Sequence, residues 1–526
     1  MIDRAARAHE RALGAAPAAA AGPRARTSRR RALGSYYTPS TVVERLLDLA
    51  LDPLLDRATA EGRLLELRIC DPACGAGAFL APAAARLARR LDRAGASNPA
   101  ARAVAACHGW DIDPDALALC AAALRRVSTD GAASLTRADA LLDAPVSAFD
   151  LVIGNPPFHG QLTSDTVRAR DHAAALRARW GAAAKGYADS ASIFLAAATA
   201  MLRAGGTLAL VQPQSVLAAR DARGARVALQ ETCALTHFWA THEPLFHGTD
   251  VRVCALIATR GAAGVPAVAL FDGRDLRARG TTATPSSAAW SSLLAAVSDV
   301  PEGPDEGHGV LGDLALITAD FRDAYYGLLP GAVERADAPP GAYTGVTVGR
   351  IAPMHLLDVP VRYGKRPWES LMIDVERLDS SMQAWAARRG VPKLLVATQT
   401  RVIEVVADPT GTLLPITPVI SVVPRDPSRV WHIAAALTAP GASAWALRRS
   451  AGAALGGDHI KLSAADLRAL PLPPPGDAWD RAASELHAAH ALPAAERRAP
   501  LLRAASALDP GGALGWWRAR LPADAP

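Results

Sequence analysis

The sequence predicts a doubly wound α/β unit with a mostly parallel sheet, followed by a smaller α+β unit. Three observations carry this. Between residues 64 and 271, short apolar runs alternate with longer Ala/Leu/Arg stretches of helical period. That is the pattern of βαβ units whose sheet is covered on both faces. A glycine-rich turn, Asp71-Pro-Ala-Cys-Gly75-Ala-Gly77, joins the first apolar run to the stretch after it. Beyond about residue 310 the pattern changes to short β-like segments separated by turns.

Strand-like runs fall at residues 67–70, 104–110, 149–154, 207–212, 234–240, 251–259 and 265–271. Helical stretches lie at 78–91, 114–127 and 190–202. The later runs come closer together, which suits an antiparallel addition at one end of the sheet. Residues 272–309 are rich in Pro, Gly, Ser and Thr and read as a linker. From 310 to 475, β-like segments at 345–350, 393–406 and 414–423 and a helix near 431–449 predict the α+β domain. Pro471-Leu-Pro-Pro-Pro475 then separates an Ala-rich helical tail, residues 476–526. Residues 1–33, Ala/Arg-rich and poor in acids, superficially resemble a transit peptide. With Pro23 and the Arg29-Arg30-Arg31 run they read instead as a disordered basic arm.

A chain of 526 residues suits roughly three domains, and its half-apolar composition can bury large cores. The net charge of +6 is carried almost wholly by arginine, because the only lysines are Lys185, Lys365, Lys393 and Lys461. That excess permits a polyanionic partner without selecting one. Cys70, Cys74, Cys107, Cys120, Cys233 and Cys254 contain no Cys-x-x-Cys pair. They predict reduced thiols in a cytoplasmic protein rather than a disulfide framework or a zinc site. The most apolar long stretch, 193–211, contains Arg203 and a Gly pair, so no membrane span is expected.

The segment Ile69-Cys-Asp71-Pro-Ala-Cys-Gly75-Ala-Gly77-Ala-Phe-Leu80 runs an apolar strand into a glycine-rich turn that opens a helix. Such a turn lets backbone approach a ligand closely. The third glycine of a dinucleotide fingerprint is missing. An acid before the turn would repel the phosphates of NAD or ATP and suits a cationic ligand, which favours S-adenosylmethionine. Next comes Gly109-Trp-Asp111-Ile-Asp113-Pro-Asp115, with a carboxylate where doubly wound sheets hydrogen-bond a ribose diol. A calcium loop would need Gly and Glu at positions held by Ala116 and Ala122. Asp139 ends a third predicted strand and could accept a bond from an adenine amino group, or be a solvated loop acid.

Phe149-Asp-Leu-Val-Ile-Gly154-Asn155-Pro156-Pro157-Phe158 ends a buried strand in an amide, two prolines and an aromatic. Two prolines fix the backbone and remove two donors, so carbonyls there are left to accept. The Asn155 amide oxygen and the Pro156 carbonyl can take both hydrogens of one exocyclic amine and aim its lone pair at a methyl donor. Phe158 offers a stacking face for a planar base, worth ~1–3 kcal/mol. The bland reading is a strand-ending turn with a core Phe.

Residues 34–260 resemble the amino-type N6-adenine DNA methyltransferases. The motif order is Gly34-Ser-Tyr-Tyr-Thr38-Pro39, then Asp-Pro-Ala-Cys-Gly-Ala-Gly, then Asn-Pro-Pro-Phe, then a C-terminal domain. It is similar to the gamma class, and to type II modification enzymes with a single target-recognition domain. The resemblance implies a Rossmann-like methyltransferase sheet over 34–271 and a DNA-binding target-recognition domain over 310–475. It places Thr38 on the methionine carboxylate, and Asp71 with the turn of Ala73, Cys74, Gly75 and Gly77 around the methionine part. Asp111 falls on the ribose hydroxyls, Ile112 against the cofactor adenine and Asp139 on its amino group. Phe194 falls on the lining of that pocket, and Phe246 on a second aromatic stacking against a flipped-out base. Each of the last two could equally be a core aromatic. Phe158 stands where the family commonly has Tyr.

Looser matches, 392–404, 417–422 and 457–473, resemble recognition-domain segments. There Thr398, Gln399, Thr400, Arg401 and Lys461 could contact bases or phosphates, or simply line a solvated loop. The family implies double-stranded DNA as partner, no metal, a monomer at the nucleoid, and a separate restriction endonuclease or defence proteins. No nuclease domain is expected in the 33 residues before the first motif. No lysine has an acid two residues before it, so an Asp/Glu-x-Lys centre is absent. RNA or protein-glutamine methylation, or a decayed DNA-binding subunit, remain rival expectations.

Overall fold

The computed structural model describes residues 38–158, 170–246, 251–261, 267–286, 290–304, 307–319, 322–416, 418–452 and 459–522. The basic arm, Gly34 to Tyr37, His247 to Asp250, Thr417 and Gly457-Asp458 lie outside them. The chain divides after Val297 into two compact units.

The first unit is built on nine strands: β1 Ile69–Asp71, β2 Cys107–Asp111, β3 Ser134–Arg137, β4 Phe149–Gly154, β5 Leu202–Pro213, β6 Cys233–Ala240, β7 Val253–Arg260, β8 Ala267–Asp272 and β9 Arg277–Ala283. Its helices are α1 Ser40–Ala60, α2 Leu80–Arg93, α3 Pro99–Ala105, α4 Pro114–Arg125, α5 Ala140–Asp143, α6 Arg170–Trp180, α7 Ser190–Met201, α8 Arg223–Thr232 and α9 Ser291–Val297. The sheet order is β3-β2-β1-β4-β5-β7-β6-β8-β9. The first five strands are parallel, with Ile69 beside Cys107 on one flank and Leu151 on the other. Strand β7 runs antiparallel to both β5 and β6, which gives the expected antiparallel end.

The sequence explains these elements locally. Every residue of β4 is buried, Asp150 included, as a strand covered on both faces must be. Helix α4 starts on the Asp113 side chain, which caps the Asp115 N–H with Pro114 at the first helical position. Asp189 caps α7 in the same way. Helix α1 buries Val42, Val43, Leu46, Leu47, Ala50, Leu51, Leu54, Leu55 and Ala58, a stripe at helical spacing. These pack into one core with Leu87 and Leu91 of α2 and with Ile69, Leu151, Ile153 and Val211 of the sheet. Arg86 of α2 also bridges Glu44, Asp48 and Asp52 of α1.

Beyond β1 the chain continues to β2 on one side, while β4 lies on the other. The strand order therefore reverses between β1 and β4. In open α/β sheets ligands bind in the crevice outside the carboxyl ends of the strands at such a switch point. Asp71 ends β1 and Asn155 follows β4, so both candidate motifs open on this crevice.

The second unit holds two four-stranded sheets. One has the order Ala315–Ala319, Ile420–Pro424, Lys393–Val396, Val405–Asp408. The other has Ala332–Glu334, Leu371–Ile373, Tyr343–Val346, Leu413–Pro415. In the first, Lys393 is fully buried and paired with Asp408, whose carboxylate also accepts the Thr412 and Leu413 N–H groups at 2.9 Å. Helices Asp477–His490, Arg498–Ala507 and Leu514–Arg518 occupy the Ala-rich end of the chain.

Three expectations need correction. Residues 272–309 are not a plain linker: β9 pairs antiparallel with β8, and α9 follows it. The stretch 431–449 is two helices, Val430–Thr438 and Pro440–Ser450, because Pro440 cannot continue the first. The segment 345–350 leaves its strand at Val346 and turns into a short 3-10 helix, Val348–Arg350.

Candidate active site

The turn after β1 is folded by its own backbone donors. The Ala73 N–H donates to Asp71 Oδ1 at 3.0 Å, and the Cys74 N–H reaches the Trp110 carbonyl at 2.8 Å. Gly75 and Gly77 both have positive φ, +51° and +81°. At Gly77 a side chain would in addition meet Cys120 Sγ at 3.0 Å. The Gly75 N–H donates to Asp111 Oδ2 at 2.9 Å, while the Asp113 N–H takes Asp111 Oδ1 at 2.9 Å. The first two motifs are thus one hydrogen-bonded unit. Gly154 completes it from β4: a Cβ there would sit 2.5 Å from Asp71 Oδ1, so only glycine lets that carboxylate cross the strand end.

The electrostatics of this crevice are lopsided. Asp71 is 1% exposed, and burial pushes its carboxyl up to about 8, with the Ala73 N–H opposing and the Asp111 charge adding to the rise. Burial also raises Asp111, against the N–H groups of Asp113 and Gly75. Among the described residues no cationic side chain pairs with Asp71. Two carboxylates held near each other out of water call for a cation, which the sulfonium and ammonium of S-adenosylmethionine supply. Ile112 is 57% exposed beside them, an apolar platform suited to an adenine ring. The donor set fits that ligand.

Asp139 caps α5 through the Leu141 N–H at 2.9 Å, and its other oxygen meets His172 Nε2 of α6 at 2.8 Å. The sequence did not nominate His172, and nothing in the local pattern at 170–180 marks it. Two further side chains fasten α6 to the same segment: Trp180 Nε1 donates to the Leu141 carbonyl at 2.7 Å, and Arg179 to that of Ala144. Phe194 is buried in α7.

Asn155 follows the last residue of β4, and its Nδ2 donates to Thr38 Oγ1 at 3.0 Å. The Phe158 and Phe246 rings, nominated for base stacking, lie with centroids 6.3 Å apart and planes tilted by 49°. Phe246 is buried in the core against which Phe158 packs. In the second unit, Gln399 and Lys461 sit opposite each other on paired strands, Gln399–Thr400 and Ile460–Lys461. Both are exposed, as is Arg401, while Thr398 is half-buried and passes its carbonyl to the Leu462 N–H. Two segments 62 positions apart by number are therefore one two-stranded ribbon. Glu404, a few residues on, was not nominated: it is buried, and burial lifts its carboxyl to about 7. Among the described residues no cluster of His, Cys, Asp and Glu could hold a metal, and no helix is long and apolar enough to cross a membrane.

The switch-point crevice, its acidic glycine turn and the Asn-Pro-Pro-Phe corner define an S-adenosyl-L-methionine-dependent methyltransferase domain. Residues 24–281, just under half of the chain, match the family described as N-6 DNA Methylase, so this domain is similar to that family of DNA methyltransferases. The matched region ends inside β9, consistent with that strand completing the sheet.

Among solved structures, the chain is similar to the type IIL restriction-modification enzyme MmeI in complex with DNA. The identity is 13%, over 92% of this chain and 76% of the other, with a TM-score of 0.60. A nuclease-deletion mutant of the type ISP restriction-modification enzyme LlaGI, with a DNA substrate mimic, is 12% identical over 87% of this chain and 55% of its own, TM-score 0.53. The DrdV–DNA complex is 14% identical over 88% and 58%, TM-score 0.50. This chain thus spans little more than half the length of the latter two. At these identities the likeness is one of fold. No curated protein sequence matches the chain.

Proposed function

We propose that the chain methylates the N6 amine of adenine at a specific site in duplex DNA, as the modification component of a restriction-modification or defence system. The observation that carries this reading is the placement of Asn155-Pro156-Pro157-Phe158 at the end of β4, across the switch point from the buried Asp71. S-adenosyl-L-methionine supplies an electrophilic methyl group when bound. Asp71, Asp111 and the 73–77 turn hold and orient that donor, and Ile112 covers its adenine.

An adenine N6 is a poor nucleophile inside a base pair, so the base is turned out of the duplex, at a cost of a few kcal/mol. The Asn155 amide oxygen and the Pro156 carbonyl then accept the two amine hydrogens. That draws the nitrogen lone pair out of ring conjugation and stabilises the charge that develops on it. Phe158 stacks on the base, with Phe246 next to it. The exposed Gln399, Arg401 and Lys461, with Thr398 at their base, are suited to reading base edges and phosphates. The proposed enzyme acts as a monomer.

The test is parallel assay of tritiated S-adenosylmethionine with duplex DNA, RNA and bulk protein. Label is expected in DNA alone, and hydrolysed DNA should yield N6-methyladenine. Label in RNA or in protein glutamine, or N4-methylcytosine in the hydrolysate, would overturn the reading.

A further inference from the structure

We infer that Thr38 is a positioning residue that fixes which way the Asn155 amide faces, and that it couples this choice to occupancy of the methyl-donor site. The inference deepens the proposed function and rests on it. Its starting point is the Asn155 Nδ2 to Thr38 Oγ1 hydrogen bond of 3.0 Å, which joins residues 117 positions apart.

A side-chain amide has two unlike ends, a donor NH2 and an acceptor oxygen, and the two orientations have nearly the same shape. Only one serves the reaction. With the oxygen toward the target base, Asn155 accepts an amine hydrogen; turned over, it sets NH2 against NH2. Thr38 is 2% exposed, so its hydroxyl cannot trade this contact for bulk water. Its mount is firm as well. The Pro39 carbonyl accepts the Val42 and Val43 N–H groups at the head of α1, and that helix shares its core with Ile153 of β4. Both partners are thus held by the same packed core.

A hydroxyl offers one hydrogen and two lone pairs. When Thr38 accepts from Asn155, its own hydrogen must point elsewhere. The resemblance to gamma-class enzymes places Thr38 beside the methionine carboxylate of the donor, an acceptor for that hydrogen. A hydroxyl committed to a carboxylate presents only lone pairs to Asn155, and these reject the turned-over amide. Thr38 thereby holds a proton on the donor side and reports it to the catalytic side as an amide orientation.

Thr38→Val keeps the shape and deletes the hydroxyl. Saturating turnover on DNA is expected to fall about 10–100-fold, because a buried donor loses its partner and the amide loses its preferred orientation. The dissociation constant for S-adenosylmethionine should rise by about 10–100-fold, since a charge-assisted hydrogen bond to its carboxylate is lost, while the turnover defect should persist at saturating donor. Thr38→Ser should restore most of the turnover.

A readout independent of activity is available because Asn98 and Asn155 are the only asparagines in the chain. In protein labelled with ¹⁵N-asparagine, the Asn155 side-chain pair should shift when S-adenosylmethionine binds. In Thr38→Val that response should vanish while the Asn98 pair stays in place as a control of the fold. The inference is overturned if Thr38→Val turns over normally, if Ser fails to rescue, or if the whole defect disappears at saturating donor. Retained turnover in Asn155→Ala would instead sink the proposed function itself, so the two failures are distinguishable.

Discussion

The two units place their nominated residues in opposite ways. In the first, Thr38 and Asp71 are almost wholly buried, and Asp111 is tied down by backbone donors from a neighbouring turn. In the second, Gln399, Arg401 and Lys461 stand exposed on a short ribbon, while the buried pair Lys393 and Asp408 is satisfied by its own ion pair and by local groups. On the proposed function, the difference reflects two tasks. Group transfer needs dipoles fixed and dehydrated before the reaction, which demands glycines, caps and a packed core around them. Sequence reading needs side chains that reach out of the surface, and these can be exchanged without disturbing the scaffold.

If the comparison holds, substitutions in the first unit cost turnover and those on the ribbon cost affinity. The largest effect is expected for Asn155→Ala. Saturating turnover should fall by at least about 10³-fold, the scale seen when an acceptor or donor at a reacting centre is removed. Binding of S-adenosylmethionine, followed by calorimetry, should change little.

Next comes a change that should touch neither task. Lys393→Ala leaves Asp408 charged, buried and short of a partner. It should destabilise the second unit by about 3–5 kcal/mol, read from denaturant melts, while the first unit still binds the methyl donor. Loss of donor binding in that variant would break the division of labour.

Asp71→Asn should weaken S-adenosylmethionine binding by about 10–100-fold, because a buried charge-assisted contact is lost. The acid also carries a pH signature. Its folded value, about 8, lies above the ordinary carboxylate value, so its contribution to stability is present at low pH and is lost as pH rises through about 8. A bound cation favours the ionised form. At pH 7 binding should therefore release a proton, seen as a dependence of calorimetric heat on the buffer. The rise in melting temperature given by the donor should be larger at pH 8 than at pH 6. Asp71→Asn should abolish both.

The smallest effect belongs to the ribbon. Lys461→Ala should weaken DNA binding a few-fold and lower the slope of log affinity against log salt by about 1, leaving saturating turnover intact. An unchanged slope would place Lys461 away from phosphate.

The same contrast explains what the sequence could reveal. Strand β4 is legible because two-sided burial demands a run that is apolar but for Asp150, and the 71–77 turn because its glycines answer steric needs a side chain would violate. Strand β9, Arg-Ala-Arg-Gly-Thr-Thr-Ala, lies at the sheet edge with nearly every residue exposed, so nothing in its composition separates it from a loop. The apolar run continues across Pro440 and masks the corner between two helices. The Thr38–Asn155 and Asp139–His172 contacts join motifs through space and leave no periodic trace. The pairing of Gln399 with Lys461 is hidden for the same reason, although both residues were nominated separately.

The central claim is that the corner at Asn155 presents acceptors to an exocyclic adenine amine beside the donor held by Asp71. Its most direct test is mass spectrometry of nucleosides from duplex DNA incubated with the chain and S-adenosylmethionine, run alongside Asn155→Ala. The account predicts N6-methyladenine with the native chain and none with the variant, at equal donor binding. N6-methyladenine at undiminished yield from the variant would contradict it.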